Sequence, residues 1–263
     1  MSQLISGNIP IVYDDLGKGE PALLFLPGWC MNRTVFQSIM PLSAKYRRTL
    51  VLDWRGHGES GFPSTDFGND DLVEDAMKLI HASHAEKFVP VALSHAGWVA
   101  IELRKRLGPR IEKLVLLDWI IMMQPPREFF AALDGMQSAS RWQETVERIF
   151  SVWLGDADLP SLHHFVRQEM GSYGFDMWAR AAREIAAAYA DMGTPLQILA
   201  SLIPPVPVMH LYAQPEDSRY LAAQEYFASS HSWFRVRRLN ARSHFPMFEI
   251  PDAIAKAIEA FVG

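Results

Sequence analysis

Cysteine is nearly absent: Cys30 stands alone among 263 residues. A single thiol excludes an internal disulfide and fits a reducing, cytoplasmic compartment. Long apolar runs are also missing. None reaches the roughly 18 residues that a membrane helix needs, so no membrane partner is expected. No basic run occurs and the net charge is −5, which argues against nucleic acid or an anionic surface as partner. The N-terminal residues lack a charged segment followed by a long apolar core, so no signal peptide is expected. There is no H-x-x-x-H, no cysteine cluster and no phosphate loop. His163 and His164 are adjacent, hence on different helix azimuths, with no third ligand in step. No metal or cofactor site is read from the residues.

What the chain does have is apolar content enough for a large core, 49% against 21% charged, and a regular rhythm. Residues 9–15 alternate as an edge strand would, and Leu16 to Gly19 reads as a hairpin turn. Apolar runs at Ala22–Leu26, Arg48–Trp54, Phe88–Leu93 and Ile111–Leu117 read as buried strands. Helices are expected at Arg33–Tyr46, Asn69–Ala82 and Gly97–Arg106. Strands alternating with helices at this spacing imply a mostly parallel sheet flanked by helices, an α/β fold.

From Met122 to Pro205 the rhythm changes to helices alone: Pro126–Met136, Arg141–Trp153, Ser161–Met170, Phe175–Asp191 and Pro195–Ser201. Strands and helices resume at Val206–Tyr212, Glu216–Ser229, Trp233–Leu239 and Asp252–Val262. The expected organisation is a core of residues 1–121 and 206–263 with a helical cap, 122–205, inserted between them. The cap is rich in Met and Trp, which suits core packing and, at some positions, an adaptable apolar pocket.

The stretch Val91 to Trp98 joins a strand to a helix through a turn with Ser94 at its tip. That is how an α/β-hydrolase presents its nucleophile. The flanking positions are Ala92 and Ala96 rather than glycine, so the stretch reads equally as an ordinary strand–helix junction. Alanines there are expected to loosen the strained turn. Trp29, Arg55, Ser94 and Asp118 all lie just beyond predicted strand ends, where sites in such sheets form. His244 follows the last predicted strand and precedes the last helix, giving Ser94, Asp118 and His244 the chain order of a hydrolase triad. The acid has an alternative one strand later, at Glu216 or Asp217. Asp118 is preferred, as a carboxylate that holds the imidazole and stabilises its cation. An oxyanion pocket would come from the backbone amides of Trp29 and His95. Gly56 to Gly61 matches G-x-G-x-x-G, but Pro63 and the polar run to Asn69 oppose the helix a dinucleotide site would need.

Together these residues resemble the cofactor-independent 2,4-dioxygenases of 3-hydroxy-4(1H)-quinolones, a branch of the α/β-hydrolase superfamily. The likeness rests on Leu26-Pro-Gly-Trp-Cys30, Asp53-Trp-Arg-Gly-His57, Ser94-His95 with Gly97-Trp98, and Asp118-Trp119. In the cap it includes Val152-Trp-Leu154, Glu169-Met170, Tyr173-Gly174 and Met177-Trp178. It ends with Gln214-Pro215, His231-Ser-Trp-Phe234 and Ser243-His-Phe-Pro246. Tryptophan straight after the strand acid and histidine straight after the serine are more specific than the superfamily pattern.

The resemblance implies that His244, paired with Asp118, is the base that deprotonates the substrate 3-hydroxyl. The resulting anion reacts directly with dioxygen and needs no cofactor. Ring opening releases carbon monoxide and leaves an N-acylanthranilate. Ser94 would hydrogen-bond the substrate, with His95, Trp29 and Trp153 lining the pocket for the heteroaromatic ring and dioxygen. Leu93 and Met31 stand where relatives can carry histidines. A long alkyl chain at C2 would suit the apolar cap; methyl or hydrogen remain open. Two other readings stand beside this one: a serine hydrolase acting on an apolar ester or amide, and a silent fold serving as a small-ligand receptor.

Overall fold

The computed structural model describes residues Met1–Gly263. Eight strands form one sheet: β1 (Ser2–Ser6), β2 (Ile9–Leu16), β3 (Ala22–Leu26), β4 (Thr49–Leu52), β5 (Phe88–Leu93), β6 (Leu114–Leu117), β7 (Val208–Tyr212) and β8 (Phe234–Arg238). Their spatial order is β1-β2-β4-β3-β5-β6-β7-β8. From β4 to β8 every pairing is parallel, while β1 and β2 join antiparallel at one edge. Every residue of β3, β4, β5, β6 and β7 is buried. That is why these segments read as continuous apolar runs rather than alternating ones.

Helices α1 (Met40–Ser43), α2 (Asn69–Ser83) and α3 (Ala96–Leu107) follow the early strands. Between β6 and β7 the chain leaves the sheet and forms α4 (Arg127–Met136), α5 (Trp142–Leu154), α6 (Pro160–His164), α7 (Phe175–Met192) and α8 (Pro195–Ser201). Helix α9 (Ser218–Ser230) precedes β8, and α10 (Pro246–Glu249) and α11 (Pro251–Val262) end the chain. The long helix α7 buries Met177, Ala181, Ile185 and Ala188 along one stripe and Trp178, Ala182 and Tyr189 beside it. Steps of three and four residues keep these side chains on one face, which packs against α4 and α5.

Several expectations need correction. Strand β1 has no clear apolar alternation and was not foreseen; it makes β2 an interior strand rather than the edge. The tight hairpin turn lies between β1 and β2, where Gly7 has a φ of 60°. Leu16 to Gly19 is therefore not a hairpin turn, because β2 pairs with β1 and β4 and never with β3. A Cβ at Gly17 would sit 2.6 Å from the carbonyl oxygens of Ala44 and Arg47, so glycine lets this crossover pass close against the turn that follows α1. The single helix expected at Arg33–Tyr46 is a 3-10 turn at Arg33–Phe36 followed by the short α1. Pro41, without an amide proton, cannot sit inside a continuous helix. The helix expected at Ser161–Met170 ends at His164 and continues as a wider π turn over Phe165–Glu169.

The loops after β3 and β5 leave neighbouring strands, and the chain has reached β4 on the other side of β3 in between. Such a reversal of winding opens a crevice at the carboxyl ends of the strands.

Candidate active site

Three of the four non-glycine residues with left-handed φ lie at those strand ends: Cys30 at 58°, Ser94 at 53° and Asp118 at 43°. Such backbone costs about 1–3 kcal/mol per residue and persists only where surroundings impose it. The turn at Ser94 is thus fully strained, although its flanks are alanines. The expectation that Ala92 and Ala96 loosen it does not hold. Glycine is instead required one position further on. A Cβ at Gly97 would lie 2.1 Å from the Trp119 ring, so Gly97 lets α3 pack against the residue that follows Asp118. The Ser94 amide donates to the Leu117 carbonyl at 2.8 Å, fixing the turn to β6.

Asp118 and His244 are joined. The imidazole Nδ1 lies 3.0 Å from Asp118 Oδ1. With a carboxylate at that distance, Nδ1 carries the proton and Nε2 keeps a free lone pair. The other carboxylate oxygen accepts the amides of Ala213 at 2.7 Å and Gln214 at 3.4 Å. Burial pushes the Asp118 carboxyl above its ordinary value, and the His244 hydrogen bond and the two amides pull it back. Glu216 and Asp217, the alternative acids, do not reach His244. Glu216 pairs with Arg238 at 3.6 Å, and Asp217 caps α9 by accepting the Arg219 amide at 2.9 Å.

His244 Nε2 is buried and has no hydrogen-bond partner. Ser94 does not bond to it, although both residues are buried. Trp153, at the end of α5, lies over the imidazole with ring centroids 5.1 Å apart and planes 20° apart. Its carbonyl accepts the His244 amide at 2.7 Å. His244 is thus gripped from the sheet by Asp118 and from the helical layer by Trp153.

His95 is half-buried among aromatic rings. Trp119 and Tyr189 present edges to it at 6.2 and 5.7 Å, and Phe129 lies tilted at 5.8 Å. Burial, with a contribution from nearby His244, pushes its pKa down to about 3. It is a neutral ring at physiological pH. Trp29 is buried with its Nε1–H donating to Asn69 Oδ1 at 3.2 Å and its ring stacked on Phe67. The amides of Trp29 and His95 donate to no protein acceptor. A Cβ at Gly28 would lie 3.4 Å from the Leu93 carbonyl, so the loop of Trp29 runs directly beside the turn of Ser94. The two amides expected to form an oxyanion pocket are therefore on adjacent loops.

Sequence reading assigned no role to several residues that hold this arrangement. His57 Nδ1–H donates to the Arg55 carbonyl at 3.0 Å, and Nε2 accepts the Cys30 amide at 3.1 Å. Burial lowers its pKa to about 4. It pins the strained loop after Trp29 and was hidden inside a motif common to the superfamily. Glu184 of α7 accepts the Asn69 amide at 2.8 Å, satisfying the start of α2 from the helical layer. Gly56 to Gly61 forms a turn around Asp53, whose carboxylate a Cβ at Gly58 would meet at 2.4 Å. No helix opens there before Asn69. His163 is occupied by the Ala157 carbonyl at 3.0 Å, and no group of three or more His, Cys, Asp or Glu is placed to hold a metal.

Residues 23–257 match the model of the Alpha/beta hydrolase family. The chain is 36% identical over 258 residues to the 2-heptyl-3-hydroxy-4(1H)-quinolone dioxygenase of Mycobacteroides abscessus, covering 97% of this chain and 96% of the relative. It is 35% identical over 254 residues to the 1H-3-hydroxy-4-oxoquinoline 2,4-dioxygenase of Pseudomonas putida, covering 96% of each. Its fold superposes with a TM-score of 0.94 on a solved AqdC variant in complex with its substrate, from work on ring-cleavage of the Pseudomonas quinolone signal. That structure is 35% identical and is matched over 100% of this chain and 99% of its own. The chain belongs to the α/β-hydrolase family and, within it, to the 3-hydroxy-4-quinolone 2,4-dioxygenases.

Proposed function

We propose that this protein opens the ring of a 3-hydroxy-4(1H)-quinolone, with an alkyl chain at C2, using dioxygen. His244 is the general base. The observation that carries this reading is the lone pair on His244 Nε2, buried and unpartnered while Nδ1–H is held by Asp118. An imidazole so arranged takes a proton from a ligand, and Asp118 stabilises the cation that results. The bound 3-hydroxyl loses its proton to Nε2, and the quinolone anion supplies the electrons that dioxygen accepts. Oxygen adds at C2, and the peroxide closes on C4. The O–O, C2–C3 and C3–C4 bonds then break, and the proton held by His244 passes to the product carboxylate or to solvent. C3 leaves as carbon monoxide, and the nitrogen keeps C2 as its acyl group. Both atoms of dioxygen remain in the N-acylanthranilate.

Ser94 binds the substrate rather than attacking it, which agrees with its lack of a hydrogen bond to His244. Neutral His95 and the rings of Trp29 and Trp153 line the pocket, and the amides of Trp29 and His95 face oxygen-centred charge. We read residues 122–205 as a cap that excludes water from the anion and the peroxide. The same triad order would serve a hydrolase, but the full-length relatives named as quinolone dioxygenases favour ring cleavage.

The test is oxygen uptake and carbon monoxide release by purified protein given 2-heptyl-3-hydroxy-4-quinolone. Uptake with one carbon monoxide per dioxygen is expected. Turnover of para-nitrophenyl esters without oxygen uptake overturns the reading, as does tight binding without product.

A further inference from the structure

We propose that Gln214 and Glu249 are positioning residues for the base, a role that rests on the reading of His244 given above. His244 sits in an irregular loop between β8 and α10, so no ladder or helix fixes it. The backbone of that loop is held instead by side chains reaching in from two sides. Glu249 accepts the Arg242 amide at 3.1 Å, the Ser243 amide at 2.9 Å and the Ser243 hydroxyl at 2.6 Å. The Ser243 oxygen in turn accepts the Phe245 amide at 3.1 Å. On the opposite side, Gln214 spends both protons of its side-chain amide. One goes to the Arg242 carbonyl at 2.9 Å, the other to the Val152 carbonyl at 3.1 Å.

Val152 precedes Trp153, whose carbonyl holds the His244 amide and whose ring covers the imidazole. The Gln214 backbone amide is also one of the two that reach Asp118. Gln214 therefore touches all three supports of the base: the acid, the base loop and the end of α5. The fit leaves no slack, since a Cβ at Gly155 would lie 2.6 Å from the Arg242 carbonyl. Neither side chain contacts the imidazole, so both act through the backbone that carries it. Displacing Nε2 by a fraction of an ångström weakens proton abstraction while leaving the ring pocket in place.

The experiment compares wild type, Gln214→Leu and Glu249→Met in two assays with 2-heptyl-3-hydroxy-4-quinolone. Without oxygen, the absorbance of the bound quinolone anion is titrated against pH. With oxygen, kcat and KM are measured by carbon monoxide release. For both variants kcat is expected to fall about tenfold or more while KM changes far less. The midpoint of substrate ionisation is expected to move to higher pH. A purely structural role would lower the melting temperature and leave that midpoint unchanged. Variants that ionise the quinolone at the wild-type midpoint with wild-type kcat overturn the inference, while an active wild type keeps the base reading intact. If Gln214→Leu does not fold, Glu249→Met, which keeps the length of the side chain but lacks the carboxylate, decides alone. A wild type that neither ionises the quinolone nor takes up oxygen overturns the base reading and this inference together.

Discussion

The ring of Trp153 lies nearly parallel to that of His244, 5.1 Å between centroids, and the same tryptophan accepts the His244 amide through its carbonyl. One residue at the end of α5 therefore holds both the ring and the backbone of His244. The helical layer does more than cover the sheet: it supplies part of the support of His244. Replacing Trp153 with alanine removes the ring contact and opens space beside the imidazole. Such aromatic pairs contribute about 0.5–1.5 kcal/mol beyond their buried area. Trp153→Ala is expected to raise KM and lower kcat together, with Trp153→Phe retaining most of both. Steady-state oxygen uptake checks this, and equal loss in the phenylalanine variant would contradict it.

His244 and Ser94 separate the two chemistries. A base is needed for the first step of ring cleavage, and losing one costs about 10²–10⁴-fold in rate. His244→Ala is expected to fall by that factor. Ser94→Ala is expected to keep a substantial fraction of wild-type turnover, because the proposed mechanism forms no acyl intermediate on it. Carbon monoxide release under saturating substrate measures both. Equal inactivation of the two variants, with an acyl-enzyme trapped on Ser94, would sink the dioxygenase mechanism.

Acid stability depends on histidines that burial keeps neutral. His57 and His210 each have pKa values lowered to about 4. Their folded values lie below the unfolded one, so the unfolded chain binds more protons as pH falls from about 6.5 to about 4. The stability they contribute is present above that window and lost within it. Asp53 and Asp118, whose carboxyls burial raises, act with the opposite sign. Comparison with His57→Gln isolates one histidine. Between about pH 7.5 and about pH 5, wild type is expected to lose ~2 kcal/mol more than the variant. Urea unfolding at the two pH values measures the difference; equal losses would show that His57 does not titrate in this way.

The glycine requirement has moved along the turn. Gly97→Ala drives a methyl into the Trp119 ring at 2.1 Å, and overpacking of this kind costs about 1–3 kcal/mol or more. A lower melting temperature is expected, with turnover reduced because Trp119 follows Asp118 directly. Ala96→Gly, which restores a glycine of the superfamily pattern, is expected to leave activity near wild type. Ser94 already reaches a φ of 53° with alanine beside it. Calorimetry and oxygen uptake together check the pair, and a marked gain of activity in Ala96→Gly would contradict it.

Much of this was legible in the chain because buried parallel strands announce themselves as apolar runs. Ala22–Leu26 and Phe88–Leu93 were read to the residue. Strand β1 was not, because one of its faces meets solvent and its hydrophobic period is weak. The break between Phe36 and Met40 follows from Pro41, which has no amide proton and opens α1; Asn32, whose side chain accepts the Thr34 amide, caps the start of the 3-10 turn. Glu249 carried a faint local signal, as the acid closing the short turn that Pro246 opens. Gln214 stood out only as part of the family resemblance, with nothing local to show its role, since its two carbonyl partners lie 62 and 28 residues away.

By itself, the sequence determined the alternation of strand and helix, the helical stretch between β6 and β7, and the chain order of Ser94, Asp118 and His244. Periodicity, proline and turn chemistry act over a few residues, so they can be read one segment at a time. The tertiary structure alone decided that Asp118 rather than Glu216 or Asp217 meets His244, that Ser94 keeps its strained turn between alanines, and that His244 Nε2 is buried and unpaired. Those outcomes depend on which loops the sheet order brings side by side. Contacts between residues 126 positions apart leave no trace in local pattern.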